Sequence, residues 1–171
     1  RGPRAGGPRR AALVFWTRRR QPGAMEALYW AGIAFCLSQS ALFSGLNLAV
    51  FGVSRLRLET EAATGSKDAV RLLELRQDAN FLLTTILWGN VGVNVLLTLL
   101  SNSVMAGLAA FLFSTFVITF LGEIMPQAYF VRNALRMAAR LAPVLRLWQI
   151  VLYPVAKPSA MALDAMLGQE V

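Results

Sequence analysis

The sequence predicts an all-α membrane protein: three transmembrane helices, two short cytoplasmic helices and a kinked juxtamembrane helix. Three observations carry that expectation. Hydrophobic residues are 56% of the chain and charged residues 15%, against roughly 45–50% and about 25% in ordinary globular proteins. Two long stretches, Ala27–Ser54 and Ala79–Gly122, hold no charge. The charges gather instead between them and after them.

The first stretch fits one span, at about 27–52. The second would be about 66 Å long as one helix, roughly twice the hydrocarbon core of a bilayer. It reads as two spans, at about 80–101 and 104–125, with a turn near Ser101-Asn102-Ser103.

The net charge of +8 raises a nucleic-acid reading, but the basic residues flank apolar spans and form no soluble basic fold, so no nucleic-acid partner is expected. Lys and Arg fall in three groups: seven before Met25, five from Arg55 to Arg76, and five from Arg132 to Lys157. With three spans the last two groups share one side, which the positive-inside rule makes cytoplasmic. The first group then lies outside, against the rule. Residues 1–24 are rich in Arg, Gly and Pro, and Met25-Glu26 stands directly before the first span. Residues 1–24 are therefore expected to be a disordered or non-native extension, with the membrane domain starting at residue 25. The apolar run Ala11–Trp16 is too short for a signal-peptide core.

Between the first two spans, residues 54–78 carry five basic and five acidic residues, with Leu56, Leu72, Leu73 and Leu75 as an apolar side and Thr64-Gly65-Ser66 as a break. Two short amphipathic helices at the cytoplasmic surface fit this pattern. After the third span, Arg132, Arg136 and Arg140 recur every four residues, and Pro143, Pro154 and Pro158 punctuate an uncharged run too short to cross a bilayer. Trp148 and Tyr153 read as interface residues, with Arg146 and Lys157 reaching headgroups. A fourth, tilted span over about 141–167 would bury Arg146, Lys157 and Asp164. A kinked helix lying along the membrane is the better reading.

Chemistry concentrates in the spans. Ser40, Ser44 and Asn47 share one face of the first, Asn90, Asn94 and Thr98 one face of the second, and Thr115, Thr119 and Glu123 one face of the third. Any one stripe could serve helix packing alone. Three stripes in three spans point to oxygen ligands. Glu123 is the only charge between Ala79 and Phe130, and a carboxylate at membrane depth costs several kcal/mol unless something pairs with it. Pro126, three residues on, frees a carbonyl one turn upstream, near Gly122. That predicts an unwound hinge at Gly122–Pro126. Hydroxyl, amide, carboxylate and carbonyl oxygens suit Mg²⁺ or Ca²⁺. The chain has one cysteine, Cys36, and no histidine. Zinc sites, thiolate clusters and His-based catalysis lose their usual groups, no Asp pair lies in a span, and Lys67 and Lys157 lie outside the spans. The protein is not expected to be an enzyme.

Four sequence words, in this order, carry a resemblance: Ser40-Ala41-Leu42-Phe43-Ser44-Gly45-Leu46-Asn47-Leu48, Gly89-Asn90-Val91-Gly92-Val93-Asn94, Phe120-Leu121-Gly122-Glu123-Ile124-Met125-Pro126-Gln127, and Leu163-Asp164 with Leu167-Gly168-Gln169-Glu170. Over about 26–171 the chain resembles the transmembrane domain of the cyclin M (CNNM)/CorC family of magnesium transport proteins. The resemblance implies a homodimer in the plasma (inner) membrane, the juxtamembrane helix forming a belt, and an amino terminus outside. It implies that a largely dehydrated Mg²⁺ is held by Ser44, Asn90, Glu123 and the Gly122 carbonyl, with Ser40 and Asn94 as neighbours. Asn47 stands where many bacterial members carry an acid. Family members usually continue into nucleotide-binding CBS modules. Residues 25–168 would then be the transport domain and 169–171 the start of a linker, with no ATP site expected within the chain. The implied function is Na⁺-coupled Mg²⁺ efflux, with Mg²⁺ the transported ion and Na⁺ the coupling ion. The alternative is a non-transporting, Mg²⁺-sensing or regulatory membrane scaffold.

Overall fold

The computed structural model describes residues 23–168, and every regular element among them is helical. The expectations for residues 1–22 and 169–171 lie outside the described residues.

Helix α1 (Ala24–Gly52) is the first span. Val53 is extended, and Ser54 caps the next helix by accepting from the Arg57 amide at 3.3 Å. Helices α2 (Arg55–Ala63) and α3 (Lys67–Leu75) are the two short amphipathic elements, broken at Gly65, whose φ of +93° favours glycine. Ser66 caps α3 in the same way. A 3₁₀ turn, Arg76–Asp78, leads into α4 (Ala79–Val104), with the Asp78 carboxylate as its cap. Arg76 also donates to the Val53 carbonyl at 2.7 Å, closing the break after α1.

The turn between the second and third spans differs from expectation. It falls at Met105–Gly107, not at Ser101–Ser103. The hydroxyls of Ser101 and Ser103 bond back to the carbonyls of Leu97 and Leu99, which leaves them compatible with helix. Gly107, with φ +62°, makes the reversal.

The third span, Leu108–Arg132, is one helix with a widened middle: α5 (Leu108–Val117), a π segment (Ile118–Ile124) and α6 (Met125–Arg132). The unwound hinge expected at Gly122–Pro126 is not there. The chain stays helical through Pro126, and the Met125 amide reaches the Phe120 carbonyl five residues back. A π turn of this kind makes room for a proline that cannot donate and whose ring crowds the carbonyl four residues earlier.

The juxtamembrane region is α7 (Ala134–Val151) and α8 (Tyr153–Leu167), set at 90° to each other. The bend at Leu152 rules out a straight fourth span over 141–167. Pro154, in the first turn of α8, has no N–H to continue α7. Helix α8 is clipped to the start of α4 by four polar contacts. Lys157 pairs with Asp78 at 2.7 Å, Asn80 donates to Asp164, Thr84 donates to the Ala156 carbonyl, and Trp88 donates to Ser159.

Among the described residues, three helices are long and apolar enough to cross a membrane, with 29, 38 (counted from Lys67) and 25 residues. At about 1.5 Å per residue each exceeds a hydrocarbon core of about 30 Å. The protein is an integral membrane protein. Helix α1 is central. Phe43, Leu46, Ala49 and Val50 are fully buried on it, and it packs on α4, α6 and α7. Leu108, Phe111, Phe116 and Phe120 of the third span point outward, as lipid-facing residues do.

The contacts of α1 are close because glycines admit them. A Cβ on Gly45 would come within 2.5 Å of the Phe130 ring, and one on Gly89 would overlap the ring of Phe43. Phe43 is fully buried and has nowhere to go. Gly89→Ala is therefore expected to destabilise by about 1–3 kcal/mol, the usual cost of overpacking. Gly92→Ala on the same helix meets nothing within 4 Å and should be neutral or stabilising by up to about 1 kcal/mol. Thermal unfolding of the two variants in one detergent checks the pair.

Candidate functional site

The site lies where α1 meets α4 and the π segment. Ser40 and Ser44 are one helical turn apart on α1, and both are buried. Asn90 and Asn94 are one turn apart on α4 and half-buried. Ser40 Oγ donates to Asn94 Oδ1 at 2.6 Å, and Ser44 Oγ approaches Asn90 Oδ1 at 3.5 Å. Asn94 Nδ2 donates to Asn90 Oδ1 at 3.3 Å, which joins the two rungs into one network. The spans run antiparallel here, so the lower-numbered serine meets the higher-numbered asparagine.

Gly122 brings in the third span. A Cβ there would stand 2.9 Å from Ser40 Oγ, so only glycine lets the π segment come this close without a shift. Its carbonyl has lost the amide that residue 126 would supply, because residue 126 is proline. Five of the six expected site residues, Ser40, Ser44, Asn90, Asn94 and Gly122, are thus brought to one place. Glu123 is next to Gly122 in the chain and half-buried. Among the described residues its carboxylate makes no ion pair or hydrogen bond, to the network or to anything else.

The longer stripes fare less well. Asn47 is half-buried and makes no side-chain hydrogen bond among the described residues. Thr98 is exposed and bonds to its own helix at the Asn94 carbonyl. Thr115 and Thr119 are exposed. The row of the third span that faces inward is instead Ser114, Ile118, Gly122, Pro126 and Phe130. In an α-helix a four-residue row drifts by about 40° per step. The π turn winds more slowly and keeps this row straight. Ser114 Oγ is buried with no hydrogen-bond partner among the described residues.

Trp148 is a site neighbour that sequence reasoning missed. It was expected at the membrane interface, yet it points inward to α1. Its indole Nε1 donates to Gln39 Oε1 at 2.8 Å, and its ring meets Phe43 edge-on at 5.1 Å. Gln39 and Phe43 are the residues just before Ser40 and Ser44. The signal that could have found it is the lone Gln39 in the first span, a polar side chain needing a partner. Arg146 and Lys157 likewise turn to protein carboxylates, Glu74 at 3.5 Å and Asp78 at 2.7 Å. A cleft of about 480 Å³ lies beside them, lined by Glu74, Asp78, Phe81, Arg146 and Gln149 among others. It shares no lining residue with the serine–asparagine network.

The cyclin M transmembrane N-terminal domain family matches residues 31–170, which include every residue of this network. The chain belongs to the cyclin M family. Among its curated relatives, metal transporter cnnm-1 of Caenorhabditis elegans is 35% identical over 144 residues, covering 82% of this chain and 18% of that protein. Metal transporter cnnm-4 of the same organism is 36% identical over 149 residues, 81% of this chain and 32% of the relative. Protein MAM3 of Saccharomyces cerevisiae is 34% identical over 135 residues, 75% and 19% respectively. This cyclin M chain therefore spans between about a fifth and a third of the length of these relatives. The match bears out the resemblance drawn from the four sequence words.

Trp148→Phe keeps the ring against Phe43 and removes the donor to Gln39. It should cost about 1 kcal/mol, the usual worth of one such bond. Trp148→Ala should cost about 3–5 kcal/mol through the cavity it leaves. Chemical unfolding in mixed micelles separates the two.

Proposed function

We propose that this chain carries Mg²⁺ out of the cytoplasm across the plasma membrane in exchange for Na⁺, as one half of a homodimer and in company with cytosolic CBS-type modules. The observation that carries the reading is the network of hydroxyl and amide groups at Ser40, Ser44, Asn90 and Asn94 between two spans, with Gly122 of the third packed against Ser40 Oγ. Buried polar groups in a span mark substrate pathways. The relatives named metal transporters support the same class.

The spacing suits a small hard cation. Adjacent ligands of an octahedral Mg²⁺, each at about 2.0–2.1 Å, lie about 2.9 Å apart. The Ser40–Asn94 and Ser44–Asn90 oxygen pairs are 2.6 and 3.5 Å apart. The hydrogens that now bridge them can rotate away, leaving lone pairs for the ion. The Gly122 carbonyl supplies a further oxygen. Neutral ligands alone do not offset the loss of the Mg²⁺ water shell, so a full negative charge is required nearby. Glu123 is the acid nearest in the chain, and with no ion pair or hydrogen bond among the described residues its carboxylate can turn to the cation. In this scheme the π segment replaces an unwound hinge, since a π turn can shift register without breaking the helix. A Na⁺ ion would compete for the same oxygens from the other side.

Flux in proteoliposomes tests the assignment. The purified chain should move Mg²⁺ against an opposing Na⁺ gradient. Glu123→Gln should lower the rate by roughly tenfold or more, as one charge-assisted ligand is lost. Full flux through Glu123→Gln would sink the assignment. Mg²⁺ binding without any flux would favour the regulatory scaffold.

A further inference from the structure

Arg132 closes α6, and Arg136 and Arg140 follow on α7 at four-residue spacing, all three exposed. The ion pairs among the described residues use Arg55, Arg57, Arg146 and Lys157. The guanidinium hydrogen bonds among them belong to Arg55, Arg57, Arg76 and Arg146. Arg132, Arg136 and Arg140 take part in neither. Three like charges within little more than two helical turns repel one another, and nothing in the described fold offsets them.

Arg136 and Arg140 stand on a face of α7 that changes character along the helix. Toward Leu152 it becomes apolar, with Leu147, Ile150 and Val151 at 60%, 73% and 58% exposure. The opposite face, with Ala138, Ala142 and Leu145, is buried in the core. A helix with one face on protein and an outer face graded from cationic to aliphatic matches the boundary of a bilayer. Guanidinium groups stand at phosphate level, and alkyl side chains lie among acyl chains.

We propose that Arg132, Arg136 and Arg140 form a docking surface for anionic phospholipid headgroups, which hold α7 in the membrane interface. Charge complementarity selects the occupant. The three exposed arginines are all cationic, exposed apolar residues follow them on α7, and the planar arginine fork matches phosphate oxygens two at a time. Because α7 carries Trp148, and Trp148 holds Gln39 and Phe43 beside the serines, lipid bound here would also steady the network on α1. The lipid proposal itself rests only on the chain being a membrane protein, not on what it transports.

Native mass spectrometry tests it, with the purified chain released from micelles holding phosphatidylserine and phosphatidylcholine in equal amounts. The wild type should retain phosphatidylserine over phosphatidylcholine by at least about fivefold, the effect expected of even one basic residue at an anionic surface. The triple variant R132Q/R136Q/R140Q should retain the two equally. R132K/R136K/R140K, which keeps the charge, should hold most of the preference, and R55Q/R57Q should leave it unchanged. No preference in the wild type, or a preference surviving the triple glutamine change, overturns the proposal. So does a triple glutamine variant that alters the oligomeric mass and not the lipid retained, which would give the face to a second copy. An equal loss in R55Q/R57Q would reduce the effect to net charge and overturn it as well.

Discussion

Close approach of α1 to its neighbours is the constraint on which the rest of the structure depends. Three glycines permit it: Gly45 receives the Phe130 ring, Gly89 receives the Phe43 ring, and Gly122 faces Ser40 Oγ. Each adjoins an expected site residue in the chain, Ser44, Asn90 and Glu123. The same contacts that pack the apolar core thus bring the serine and asparagine oxygens of α1 and α4 together, with the third span packed against them. In lipid there is little hydrophobic drive between helices, so packing and buried hydrogen bonds must hold them. The serine–asparagine rungs do both. They satisfy polar groups that would otherwise be stranded, and they keep lone pairs in one place.

Much of this was legible in the sequence. Uncharged length gave the spans, charge alternation and Thr64-Gly65-Ser66 gave α2 and α3, and the proline run gave the bend in the juxtamembrane helix. Four-residue spacing put Ser40 with Ser44 and Asn90 with Asn94 on single faces. What periodicity could not give was the partner of each face. Thr115 and Thr119 share a row with Glu123, but the row beside it turns inward, because packing and not polarity alone chose the face. The serines at 101 and 103 read as a turn, yet their hydroxyls are content with their own helix. Pro126 read as a break, and the π segment absorbed it. Each of these errors treats a local preference as decisive where tertiary contacts or local hydrogen bonding compensate for it. Trp148 is a different case. Its role rests on a contact 109 residues distant in sequence, which no local pattern contains.

The juxtamembrane helices tie the membrane surface to the centre of the fold. Helix α8 is clipped to the entry of α4 through Lys157–Asp78 and its neighbouring bonds. Helix α7 reaches α1 through Trp148. Both spans that supply the network are therefore held by the same bent element. A displacement of that element would be felt at Ser40 and Asn90 without any change in those side chains themselves.

Direct Mg²⁺ binding tests the central claim, that the serine–asparagine network is a cation site and not packing alone. Calorimetric titration of the purified chain with Mg²⁺ should show binding. The double variant Ser40→Ala/Asn90→Leu, folded as judged by circular dichroism, should abolish it. Undiminished binding in that variant would contradict the account and leave the network as a structural bond between helices.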